Sequence, residues 1–162
     1  MKIKVIHLSK ILLFLTLLVT LLTVGISIVI ATSEDYIEVP IIMYHSILKD
    51  SSRSNKYTVT PTVLEEDLKY IKDKGYTTVT ITDLISYVYD NKPLPENPIV
   101  LTFDDGHYNN YGYLFPLLEK YDMKAVISIV GSYTDKFTET DEANLNYSYL
   151  RWKDIKELMD TG

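Results

Sequence analysis

Asp104, Asp105 and Gly106 follow directly on an apolar run, residues 99–103 (IVLTF), and no other constellation in the chain is as well suited to chemistry. In such a pair one carboxylate can bind a divalent cation while its neighbour accepts a proton from the cation-bound water, whose pKa the metal lowers to about 7. Adjacent side chains on a strand point to opposite faces, but where a strand ends the backbone turns, so both carboxylates can converge on one pocket. Gly106 suits a close approach of the chain or a positive φ. The same tripeptide is also the composition of an ordinary turn.

Two histidines can join this pair. His45 follows a second apolar run, residues 39–44 (VPIIMY), and His107 sits beside the acidic pair; with Thr102 and Gly106 they form the candidate rim of the site. A lone histidine serves equally well as a hydrogen-bonded structural residue. His7 precedes a long apolar stretch and is assigned no catalytic role. Tyr108, Tyr111 and Tyr113 offer aromatic faces on which sugar rings stack, although packing accounts for most of the chain's 14 tyrosines. There is no cysteine, hence no thiolate metal site or disulfide framework. Gly-rich phosphate loops and G-x-S-x-G elbows are absent, and adjacent aspartates do not match a D-x-D phosphatase.

The elements that must position these groups alternate between strand and helix. Residues 39–44 read as a buried strand and residues 50–56 (DSSRSNK) as a surface loop. Thr60 and Pro61 start a helix with Leu64, Leu68 and Ile71 inward and Gly75 as its stop. Residues 76–80 (YTTVT) are β-prone, and Thr82 caps a helix with Leu84, Ile85 and Val88 inward, ended by Asn91. Residues 99–103 form another buried strand, 113–121 a helix with Leu114, Leu117 and Leu118 on one face, and 125–130 (AVISIV) a strand closed by Gly131 and Ser132. Residues 134–148 are polar and patternless, a long loop. Trp152, Ile155, Leu158 and Met159 mark a last helix. This alternation calls for α/β architecture with a parallel sheet.

The N-terminus carries Lys2, Lys4 and Lys10 and then no charge from residue 11 to residue 30, about the length that crosses a bilayer. The lysine-bearing end stays in the cytoplasm by the positive-inside bias, which places the rest outside the cell membrane. The apolar run exceeds the roughly 7–15 residues of a signal peptide, which favours an uncleaved anchor; secretion after cleavage near Ala31 is the alternative. The expected domains are an anchor at 1–31, a linker at 32–38 and a catalytic-type domain at 39–162. All 22 acidic residues lie beyond Ala31, so the exported part is strongly acidic and nucleic acid is excluded as a partner.

From Val39 onward the chain resembles the polysaccharide deacetylase family, also called the NodB homology family or carbohydrate esterase family four. The resemblance rests on Pro40-Ile41-Ile42-Met43-Tyr44-His45, on Thr102-Phe103-Asp104-Asp105-Gly106, on the strand at 125–130, and on Leu150-Arg151-Trp152-Lys153-Asp154-Ile155. It implies the N-terminal part of a distorted (β/α) barrel, and removal of acetyl groups from N-acetylglucosamine-containing polysaccharides. It makes Asp104 the general base and Asp105 a ligand to a divalent metal, zinc in many members.

The family completes its metal site with a His-[Ser/Thr]-x-x-His segment, which does not occur in these 162 residues. Three protein ligands are usual for catalytic zinc. The chain alone is therefore expected to be inactive or nearly so and only marginally folded, with apolar surface exposed. Arg151 stands where the family often has a helix-capping Ser or Thr, which implies a weaker start to the last helix. Two rival readings remain open: a non-catalytic, membrane-anchored remnant that binds glycan or an envelope partner, and a metal-dependent hydrolase of another barrel family.

Overall fold

A computed structural model describes residues 8–31 and 37–161, with side chains described over 10–26 and 37–161. Lys2, Lys4, His7, most of the 32–38 linker and Gly162 lie outside the described residues. The chain divides into two compact units, Met1–Ile37 and Glu38–Gly162.

The first unit is a single helix, α1 (Leu8–Ala31), of 24 residues. Its threonines hide their hydroxyls by donating to carbonyls one turn back: Thr16 to Leu13 and Thr20 to Leu17, at 2.9 and 2.8 Å. The stretch of α1 with described side chains is shorter than the roughly 20 residues a bilayer requires. Among the described residues no helix is long and apolar enough to cross a membrane.

The second unit is built on a parallel sheet with β5 (Pro98–Phe103) at its centre. β1 (Ile41–Tyr44) lies along one edge, with Ile41 opposite Val100 and Tyr44 opposite Phe103. Two short strands share the other edge: β4 (Thr77–Thr78) beside the start of β5 and β6 (Val126–Ile127) beside its end. The backbone bonds follow this division. Val100 and Asp104 donate to Pro40 and Tyr44, while the carbonyls of Ile99 and Phe103 accept from Val79 and Ser128. A separate parallel pair, β2 (Ser46–Ile47) and β3 (Thr58–Val59), follows β1.

One face of the sheet is covered. Ile99, Leu101 and Phe103 of β5 and Tyr44 of β1 pack with Leu64, Leu68 and Ile71 of α2 (Pro61–Asp73) and with Leu114. Thr60 caps α2 by accepting from the Val63 amide, and Gly75 leaves it at a φ of 75°. By strand alternation the opposite face carries Ile41, Met43 and Thr102. On it Ile41 and Met43 are 62% and 60% exposed, so β1, read from the sequence as a buried strand, is buried on one face only.

Several elements differ from the sequence reading. α3 (Ile81–Asp90) is capped by Thr80, two residues earlier than Thr82, because Thr80 and Asp83 form a reciprocal capping box. Its Ile85 and Val88 are exposed, since nothing among the described residues packs on that face. The helix at 113–121 begins earlier, as a π-helical turn (Asn110–Leu114) running into α4 (Phe115–Tyr121). The expected strand at 125–130 shortens to β6. Gly131 does not close it but opens α5 (Gly131–Thr140), which occupies much of the segment read as a loop.

That segment is helical despite its polar sequence because Thr134 and Phe137, three apart, form a narrow buried stripe. In α6 (Trp152–Asp160), Trp152 and Met159 are exposed, and the inward position is taken by Asp154. Arg151 does not weaken this start. Its amide and its guanidinium both donate to the buried Asp154 carboxylate, at 2.8–2.9 Å.

Candidate active site

The carboxyl ends of β1 and β5 point the same way because the two strands are parallel, so His45 and the Asp104-Asp105-Gly106 corner emerge on one edge of the sheet. There the chain turns sharply. Asp105 adopts a φ of 70° and Gly106 a φ of 67°. Aspartate tolerates the left-handed region better than most residues, at a cost of order 1 kcal/mol. At Gly106 a Cβ would lie 3.0 Å from Ile129 Cγ2 and 3.2 Å from its Cα, so both the conformation and the close approach require glycine.

Asp104 is half-buried, its amide donating to Tyr44 at 2.9 Å. Asp105 swings into a cleft of about 530 Å³ that it lines together with His45 and His107. His107 Nε2 lies 3.7 Å from Asp105 Oδ2. Burial lowers the His107 pKa, against the opposing pull of the Asp105 charge, which favours the neutral imidazole.

Three features outside the sequence reading hold this arrangement. Asn109, almost fully buried, accepts from the Ile47 amide and donates to Ser46 Oγ and the Leu145 carbonyl, at 3.0, 3.0 and 3.3 Å. One side-chain amide thus cross-links three loops around the cleft. Segment 148–150 is strapped to the corner: Leu150 donates to Gly106 and Tyr108 to Ser148, at 2.8 and 2.9 Å. The strap lays Tyr149 against His107, ring centres 4.9 Å apart. Beneath, Tyr44 stacks on Phe103 at 5.0 Å and donates its hydroxyl to Asp67; burial, reinforced by Asp67, raises its pKa well above the phenol range.

The tyrosines expected to serve the site do not line the cleft. Tyr108 and Tyr111 stack on each other, Tyr111 continues onto Phe115, and Tyr113 lies under Lys49. The tyrosines that do line it are Tyr57, Tyr147 and Tyr149, distant in sequence and brought together by β3 and the strap. No local pattern marks them. Asn109 was within reach, as a polar residue just after the motif.

A parallel α/β domain with an acidic pair at the carboxyl end of its central strand, beside histidines in an open cleft, has its candidate site where parallel α/β folds build theirs. Comparison with known proteins specifies the family. Residues 91–162 match the polysaccharide deacetylase family. A Bacillus subtilis protein named as a polysaccharide deacetylase, YxkH, is 36% identical over 99 residues, 61% of this chain and 34% of its own. The poly-beta-1,6-N-acetyl-D-glucosamine N-deacetylase of Escherichia coli is 29% identical over 122 residues, 72% of this chain and 18% of its own.

Among solved structures, a de-N-acetylase from Aggregatibacter actinomycetemcomitans superposes with a TM-score of 0.65 at 26% identity, covering 76% of this chain and 51% of that one. The Streptococcus pyogenes deacetylase PplD gives 0.62 at 28% identity, covering 78% and 54%. Residues 91–162 thus carry the match to the polysaccharide deacetylase family, and the solved deacetylases that the chain resembles are covered over only part of their length. The chain spans about a third or less of the two curated relatives' lengths.

Proposed function

We propose that the chain serves a metal-dependent N-deacetylase that hydrolyses acetamide groups of N-acetylglucosamine-containing polysaccharides. The observation that carries this reading is the corner at the end of β5, which turns Asp105 into a cleft beside His107. Asp105 and His107 are donors of the kind zinc takes, but they are two where a catalytic zinc usually has three protein ligands. Among the described residues no group of three His, Cys, Asp or Glu side chains could hold a metal ion.

A divalent cation bound at Asp105 would polarise the acetamide carbonyl and acidify a water. The roles of this chain's own residues follow. Asp105 anchors the cation, and Asp104 accepts the proton of the attacking water as general base. His107, kept neutral by burial, can offer a lone pair, and the Tyr149 ring fixes its plane. With two donors instead of three, the 162 residues by themselves are expected to bind zinc without a saturable stoichiometric site and to release little acetate. We further propose that α1 anchors the domain to the cell membrane with its lysine-bearing end inside, cleavage near Ala31 being the alternative.

The test is acetate release from N-acetylglucosamine oligomers by the full-length protein. Chelation is expected to abolish release and added zinc to restore it. Release that persists through exhaustive chelation overturns the metal dependence, and a zinc-loaded protein that releases none overturns the deacetylase reading in favour of a glycan-binding remnant.

A further inference from the structure

The cleft that Asp105 lines is lined by aromatic side chains as well. Tyr57 and Tyr147 expose 51% and 54% of their surface while lining the same cavity. Exposed tyrosines are ordinary when they rotate freely; these two are held. The Tyr57 amide donates to Asn55 Oδ1 at 2.8 Å, its carbonyl accepts from Ser46 at 3.0 Å, and its ring meets His45 edge-on with centres 5.1 Å apart. Tyr147 lies in a turn closed by Ser148 donating to the Asn144 carbonyl at 2.9 Å, and its hydroxyl bonds to the Glu142 carboxylate.

Lys56 Nζ lies over the Tyr57 ring, 4.7 Å from its centre, so a sugar stacking there meets the ring's other face or displaces the lysine, and the two half-exposed rings lose little freedom when covered. Polar groups with directional donors share the wall. Arg53 and Asn146 line it too, and no salt bridge engages the Arg53 guanidinium among the described residues. A planar fork and an amide suit the hydroxyl and acetamide oxygens of a sugar, while its C–H faces suit the rings.

We propose that Tyr57 and Tyr147, with Arg53 and Asn146, form a subsite for one pyranose ring of an N-acetylated glycan, adjoining the ring whose acetamide faces Asp105. The inference rests on the deacetylase reading and adds the place where the polymer is gripped. It makes recognition depend on residues outside the catalytic corner. Binding strength and chemistry are therefore separable by substitution.

The experiment titrates the zinc-loaded full-length protein with an N-acetylglucosamine tetramer by calorimetry, alongside acetate release. Tyr57→Leu and Tyr147→Leu are each expected to weaken binding about tenfold and to raise KM with kcat nearly unchanged, whereas Tyr57→Phe, which keeps the ring, binds like the parent. Asp104→Asn is expected to bind the tetramer normally while losing acetate release. If both leucine variants bind and turn over like the parent, the subsite is overturned while the deacetylase reading stands. If the parent neither binds the tetramer nor releases acetate, the underlying reading fails instead, and the subsite with it.

Discussion

Replacing Asp104 by Asn in the full-length protein is expected to lower acetate release by roughly 10²–10⁴-fold, the usual contribution of a general base. The substitution is nearly isosteric and leaves the backbone bond from residue 104 to Tyr44 in place, so the fold should be unaffected. What disappears is the acceptor for the proton of the attacking water. Because Asp105 lines the cleft and serves as the cation's anchor, zinc affinity should change little in this variant, whereas Asp105→Asn should lose metal and activity together. Steady-state kinetics beside a zinc titration separate the two; undiminished acetate release by the Asp104 variant would remove that residue from the mechanism.

The second large effect is on stability. Phe103 is fully buried, stacks on Tyr44, and packs on the covered face of the sheet with Leu64 and Leu68. Phe103→Ala is expected to cost about 3–5 kcal/mol, a transfer loss plus a cavity in a layer held by β5 on one side and α2 on the other. A domain whose total stability is of order 5–15 kcal/mol, and whose second sheet face exposes Ile41 and Met43, has little reserve against such a loss. Urea unfolding followed by circular dichroism measures it. A midpoint shift worth less than about 1 kcal/mol would mean that this layer is not the core of the unit.

These two residues are neighbours in the chain, and their contrasting roles follow from the pleat. Phe103 packs with the helices, and strand alternation turns the next residue, Asp104, the other way. That much was legible in IVLTFDDG, as were β1, the three inward positions of α2 and the left-handed stop at Asn91. The positive φ at Asp105 was not. It stands beside the tight seat of Gly106 against Ile129, on the segment that the pairing of β6 with β5 brings in.

The features that escaped the sequence share a cause. α5 is stabilised by Thr134 and Phe137 meeting the strap rather than by a wide apolar face, so its pattern is too narrow to announce a helix. The cleft tyrosines come from two separate stretches, and Tyr108 and Tyr111, adjacent to the motif, stack on each other instead. Arg151 departs from the usual capping chemistry, yet it builds the same helix start with a buried ion pair to Asp154. The cleft tyrosines depend on long-range contacts, whereas Arg151–Asp154 and Tyr108–Tyr111 are pairs three residues apart whose side-chain choice local propensity does not fix.

The central claim is that Asp105, turned out at the end of β5, holds a divalent cation in the cleft beside His107. Anomalous diffraction at the zinc edge from crystals of the full-length protein tests it directly. The account predicts a peak about 2.0–2.2 Å from an Asp105 carboxylate oxygen, with Asp104 not bound to it. A zinc ion bound elsewhere with Asp105 left free would contradict it.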